Sequence, residues 1–255
     1  MKKLLLATLI TGASLTATAD VVVFDDSSFN GMMGSEVVFD FIDYDSDVAD
    51  VTQTDTDMSG DITGAEDFSE MGSTDVVNFK LGAALLGVDP AYEVFYDYMF
   101  TGTATTVGGA ISVDFDTGPS GLYVDTIVNG VLDGGSTKVA GFSLLSGGCS
   151  IDISPGPLQN KGFCAIDLVI DFEAGYFFNT LGDDLSTTPS TKTAELIVTV
   201  QDIIGLDFLY MAPGDSQTFE IEHDGNMKFN VPEPATVAIL GLGLLGFAGM
   251  RRRKA

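Results

Sequence analysis

Tyr92-Glu93-Val94-Phe95-Tyr96-Asp97-Tyr98-Met99-Phe100-Thr101 sets Tyr92, Val94, Tyr96, Tyr98 and Phe100 on one side of an extended chain. Glu93, Phe95, Asp97, Met99 and Thr101 stand on the other. A period of two belongs to a half-buried strand, because successive side chains leave a strand on opposite faces. Further on, Ile111-Ser112-Val113-Asp114-Phe115-Asp116 alternates without exception before Gly118-Pro119, a turn signal. Working outward, Cys164, Ile166, Leu168, Ile170 and Phe172 line one face of another run, with Asp167 and Asp171 opposite. Ala194, Leu196, Val198 and Val200 repeat the pattern. Phe219 and Ile221 do so before Asp224-Gly225, which reads as a hairpin turn leading to Met227-Lys228-Phe229. Val21–Phe24, Glu36–Ile42 and Leu122–Val128 add further strands, and only Phe79–Val88 reads as helical. These short strands, joined by Gly, Asp, Ser and Thr, predict an all-β domain: an antiparallel β-sandwich, jelly-roll-like.

The chain has 255 residues, a formal charge of −26, one His, two Cys and no Trp. The charge excludes nucleic acid as a partner, since that binding rests on Lys and Arg neutralising phosphates. A mean hydropathy of +0.28 beside so many carboxylates means that apolar residues are concentrated somewhere, and they lie at the two ends. Met1-Lys2-Lys3, an apolar run Leu4–Ile10 and Ala17-Thr18-Ala19 have the order of a secretory signal peptide, residues 1–19. At the other end stand Pro232-Glu233-Pro234, sixteen uncharged residues Ala235–Met250, and a basic cluster over residues 251–254 that includes Arg251, Arg252 and Arg253. The apolar segment, as a transmembrane helix, spans about 24 Å at ~1.5 Å per residue. That is short of a ~30 Å hydrocarbon core, a deficit that snorkelling Arg side chains make up. The basic cluster keeps the C-terminus cytoplasmic and puts the rest across the inner membrane. Without its ends, the domain over residues 20–230 has five lysines against 36 carboxylates, a formal charge of −31.

The tail, residues 231–255, resembles the PEP-CTERM family of exported bacterial proteins, whose hallmark is this order of Pro-Glu-Pro, Gly-rich apolar helix and terminal Arg cluster. The resemblance implies recognition of Pro232, Glu233 and Pro234 by an exosortase, a membrane cysteine protease. It also implies anchorage in the inner membrane before processing, then delivery to the cell surface or extracellular matrix of a Gram-negative bacterium. Family members are associated with exopolysaccharide, biofilm or floc formation, so a structural or adhesive role in such a matrix is expected. The run Tyr92–Thr126 is loosely similar to flocculation-associated members. A simple single-pass anchor is the alternative reading of the tail. The alternative for the whole chain is a secreted carbohydrate-binding or polysaccharide-active protein with the same sorting tail.

Cys149 and Cys164 fall in the exported part, where an oxidising compartment favours a disulfide; a redox or nucleophilic role is the alternative. Asp55, Asp57 and Ser59, with Gly60 sixth and Glu66 twelfth, follow the oxygen spacing of a calcium loop, and Asp61 stands beside them. The competing reading is a solvated acidic loop, because the flanks do not look helical. Asp43, Asp45 and Asp47 form a weaker cluster. A single His, His223, argues against a Ser-His-Asp triad and reads as an exposed turn residue. The expectation is a non-enzymatic protein without a cofactor, calcium apart. Signal-peptide removal after Ala19 predicts that the exported chain begins at Asp20, which intact-mass measurement of the exported protein checks.

Overall fold

The computed structural model describes residues 21–60, 64–155, 159–204 and 212–231. The signal segment and the sorting tail, including Pro232–Pro234, 235–250 and Arg251–Arg253, lie outside the described residues. The N-terminal part is β1 (Val22–Asp25), the short helix α1 (Ser27–Asn30) and β2 (Glu36–Phe39). Long strands follow: β3 (Phe41–Thr54), β4 (Ala65–Leu81), a short β5 (Ala84–Gly87) and β6 (Tyr92–Val107). Next come β7 (Ala110–Thr117), β8 (Ser120–Val128), a short β9 (Val131–Leu132) and β10 (Thr137–Asp152). The chain ends with β11 (Lys161–Phe172), β12 (Phe177–Phe178), a 3₁₀ turn at Leu185–Thr187, β13 (Lys192–Ile204) and β14 (Ser216–Asn230).

The protein is all-β and antiparallel, in a sandwich-like arrangement whose edges are hydrogen-bonded to each other. Among the described residues the large sheet has eleven strands, and β4 pairs with β3 on one side and with β6 on the other. Following neighbours from β4 through β3, β14, β13, β11, β10, β7 and β6 returns to β4, so the sheet is a closed ring. Each long strand pairs with the next in sequence, and β14 returns to β3, from Lys228↔Phe41 to Ser216↔Thr54. The connection order is thus up-and-down, without the long crossovers of a jelly roll.

Gly118-Pro119 does not reverse the chain. β6 pairs with β7 over Thr101–Val107 and with β8 over Tyr92–Tyr98, making β7 and β8 one interrupted stave. The Met99 N–H bonds the Pro119 carbonyl at 3.1 Å, which carries the ladder through a residue that has no N–H of its own. The expected helix at Phe79–Val88 is instead a hairpin: Lys80↔Leu85 and Leu81↔Ala84 pair, and Gly82 turns at φ 59°. A left-handed residue of that kind ends a helix rather than continuing it. Nor is Asp224-Gly225 a turn. β14 runs through it with a bulge between His223 and Gly225.

Inward faces are apolar and outward faces acidic. Tyr92, Val94, Tyr96, Tyr98 and Phe100 are all buried, as are Cys164, Ile166, Leu168, Ile170 and Phe172. Asp50, Asp67, Asp114, Asp167, Asp171 and Glu220 are exposed on the outer wall. Carboxylates there are the reverse of the apolar band that faces lipid in a membrane barrel. Among the described residues no helix is long and apolar enough to cross a membrane. At one pole, β1, β2 and β12 form a small sheet that plugs the ring. Phe24 lies 5.1 Å from Phe177 between ring centroids, Phe39 4.9 Å from Phe79 and 5.4 Å from Phe229. Tyr92 also donates to Asp26 at 2.9 Å. Val231, the first residue of the tail and the last one described, is buried at the same pole.

Gly225 shows why a turn-like dipeptide sits inside a strand. A Cβ there would lie 2.6 Å from the Ile197 carbonyl oxygen and 2.9 Å from Cε2 of Tyr44. The glycine makes room for a tyrosine from the neighbouring stave. Gly225→Ala is expected to destabilise the protein by about 1–3 kcal/mol through overpacking, read as a lowered denaturant midpoint with unchanged slope.

Candidate functional site

Among the described residues, the pole opposite the plug carries parts of four strand connections: 55–60 with 64, 108–109, 153–155 with 159–160, and 212–215. The first holds the acidic motif. β3 delivers Asp55 to the rim, where its N–H bonds the Asp215 carbonyl at 3.0 Å in the β13–β14 connection. Asp55 Oδ2 accepts the Gly60 N–H at 2.8 Å and the Gly214 N–H at 3.2 Å, and its Oδ1 accepts the Ser59 N–H at 3.1 Å. Asp57 Oδ1 accepts the Ser59 N–H at 2.8 Å. Gly60 takes φ 78°, a left-handed turn that wraps the loop around Asp55. β4 then brings in Glu66, whose Oε2 accepts the Thr56 N–H at 2.7 Å.

One carboxylate oxygen each from Asp55, Asp57 and Glu66 lies within 4.8 Å of the others. Asp55 and Glu66 are buried, Glu66 fully, whereas Asp57 is exposed. Burial pushes Asp55 up, but the N–H groups of Gly60 and Gly214, the Asp57 carboxyl and the Ser59 N–H outweigh it and hold the carboxyl below its usual range. The structure therefore gathers Asp55, Asp57 and Glu66 and sets the Ser59 backbone against two of them, while Asp61 lies outside the described residues. The flanking elements are strands β3 and β4, not helices. Asp43, Asp45 and Asp47 do not converge: Asp43 pairs with Lys80 at 2.7 Å, and Asp47 accepts the N–H of Val48 at 2.7 Å.

Inside the barrel lies a second polar group that the sequence did not reveal. His223 is buried, 4 % exposed, rather than in an exposed turn. Its Nε2 lies 2.5 Å from Tyr98 Oη, which is 3.4 Å from Glu70 Oε1. Burial pushes the imidazole pKa down, against the opposing pull of Asp47 and Asp224. Burial pushes Glu70 up to about 7, partly offset by the Tyr98 hydroxyl. The cavity they share with Tyr44, Thr74 and Cys164 measures about 20 Å³, room for about one water and not for a substrate. The signal was the register of β4, where Glu66, Phe68 and Glu70 alternate onto one face. Cys149 and Cys164 are disulfide-bonded across directly paired positions of β10 and β11, with Cα atoms 4.0 Å apart. Closing a loop of this length contributes about 3 kcal/mol in the chain-entropy description.

Compared with known proteins, residues 230–254 match the PEP-CTERM protein-sorting motif. The match begins at the final residue of β14 and takes in the whole Pro-Glu-Pro, apolar and Arg-rich order. No curated protein and no solved structure matches the chain, and the similarity to flocculation-associated members finds no support. The chain thus carries the PEP-CTERM sorting motif, which supports export across the membrane and sorting by an exosortase.

Glu70 generates a pH prediction. Its folded value of about 7 lies above the unfolded carboxylate value, so its contribution is most favourable below the unfolded value and is lost as pH rises through about 7. Glu70→Gln removes that loss. The melting temperature of the variant is expected to gain a few degrees on the wild type between pH 5 and pH 8, and an equal difference at both pH values would show that Glu70 titrates normally.

Proposed function

We propose that this protein is a non-enzymatic component of the extracellular matrix, held at the inner membrane by its tail and released to the surface by exosortase processing, where it serves a structural or adhesive role among exopolysaccharides. The carrying observation is the sorting motif at residues 230–254, placed directly after the last strand of a closed barrel. The barrel supports the reading in two ways. Its interior is filled by side chains around a cavity of about 20 Å³, which suits a scaffold better than a binding vessel. Its outer wall carries carboxylates that keep the domain soluble and spaced from other acidic polymers.

The alternative, a carbohydrate-binding or polysaccharide-active protein, draws on one shallow depression of the outer wall. Thr52, Thr54, Ser69 and Thr101 supply hydroxyls there, beside Asp67 and Asp116. Its aromatic lining residue, Phe68, is 5 % exposed and packs on Phe115 at 5.9 Å, so it offers no flat platform to a sugar ring.

The test follows the protein through fractionated cells with and without exosortase activity. With the enzyme, a shortened chain lacking the segment after the Pro232–Pro234 region is expected in the surface and matrix fraction. Without it, a chain intact through Ala255 is expected in the membrane. Equal membrane retention in both strains would sink the sorting step. Failure of the released protein to co-sediment with the cells' own exopolysaccharide would sink the matrix role alone.

A further inference from the structure

We propose that Asp55, Asp57 and Glu66 bind one calcium ion at the rim through carboxylate oxygens, and that the ion locks Asp55 against Gly214 and Asp215 before β14. This inference stands apart from the matrix role. Three carboxylates converge within 4.8 Å, and like charges so close repel strongly unless a cation or protons intervene. Glu66 carries the argument further. It is 0 % exposed, its Oε2 is satisfied by Thr56, and its Oε1 has no hydrogen-bond partner. A buried carboxylate oxygen without a donor is costly, and a metal ion is the partner that repays it.

Gly64 shows where that oxygen points. A Cβ on Gly64 would stand 2.9 Å from Glu66 Oε1 and 2.3 Å from Asp57 Oδ2, so both oxygens are turned toward one neighbourhood. Backbone N–H groups meanwhile hold both oxygens of Asp55 (Ser59 on Oδ1, Gly60 and Gly214 on Oδ2), Oδ1 of Asp57 through Ser59 and Oε2 of Glu66 through Thr56, which leaves Asp57 Oδ2 and Glu66 Oε1 turned toward the ion. The carboxylates are thus fixed before any ion arrives.

The chemistry selects calcium. All donors are hard oxygens, which excludes a preference for zinc or copper. The donors come from a strand end, a loop and the start of the next strand, an irregular set, and calcium tolerates the irregular geometry and higher coordination number that magnesium does not. Bridging follows from Asp55, which is bound to Gly214 and Asp215 of the other connection.

The test uses the full chain in detergent, titrated with calcium and, separately, with magnesium. Calorimetry is expected to show one calcium per chain, with a dissociation constant on the order of 10⁻⁴–10⁻³ M, and weaker magnesium binding. Calcium at about 100 times that constant is expected to raise the melting temperature by roughly 5–10 °C over chelator. Glu66→Gln keeps the shape and the acceptor for Thr56; it should weaken calcium at least about 10-fold while melting no lower than wild type in chelator. Gly64→Ala keeps all three charges but crowds the oxygens, and should also abolish the calcium-dependent rise. A wild-type protein with no saturable calcium binding overturns the proposal, and so does calcium binding of equal strength in Glu66→Gln.

Discussion

Every other feature of this fold depends on the ladder between β14 and β3. It joins the last long strand to the first, from Lys228↔Phe41 to Ser216↔Thr54, and it turns a meander into a ring. An open meander of this length would expose two strand edges, each a template for aggregation. Closure removes both, and it creates an inside. Only then do the tyrosines of β6, the phenylalanines of β1 and β2 and the carboxylate of Glu70 share one interior. The pairing is also the most distant in sequence, so the ring is completed only when chain segments far apart in sequence meet.

The interior explains how such an acidic chain remains folded. Apolar and aromatic side chains fill the ring, and the mutually repelling carboxylates stay on the wall, where solvent screens them. Besides the rim pair Asp55 and Glu66, some carboxylates turn inward and take a donor there. Asp26 takes the Tyr92 hydroxyl, Asp40 takes the Gly82 N–H at 3.0 Å, and Glu70 shares Tyr98 with His223. Cys149–Cys164 fastens two adjacent staves through the same interior.

Alternation made the inward faces of β6, β7 and β11 legible, because the choice of buried side is written locally along each strand. Turns were less legible. Asp224-Gly225 and Gly118-Pro119 resemble reversals, yet neither turns the chain back: the first lies inside β14 and the second interrupts the β7–β8 stave without reversing it. The need for Gly225 comes from Tyr44 and Ile197 on neighbouring strands, which no local window contains. Gly82 has a local role, but it marks a hairpin tip where the apolar run around it suggested a helix. At the rim, spacing alone named Asp55, Asp57 and Glu66, since a tight loop brings its own alternate residues together. The meeting of Glu70, Tyr98 and His223 was hidden, because it spans three strands and depends on registers set by closure. The tail was the most legible part: its order of Pro-Glu-Pro, apolar segment and Arg cluster is a linear address.

The plug pole has a consequence for how the protein is handled at the membrane. Val231 is 5 % exposed and packed into the domain, and Pro232 of the sorting motif follows it directly. No slack separates the folded body from the sequence to be recognised. An enzyme that reads Pro232–Pro234 thus reads a sequence directly adjoining the folded body. Removal of the segment after Pro234 would take away no described strand, so the ring of staves is independent of its address.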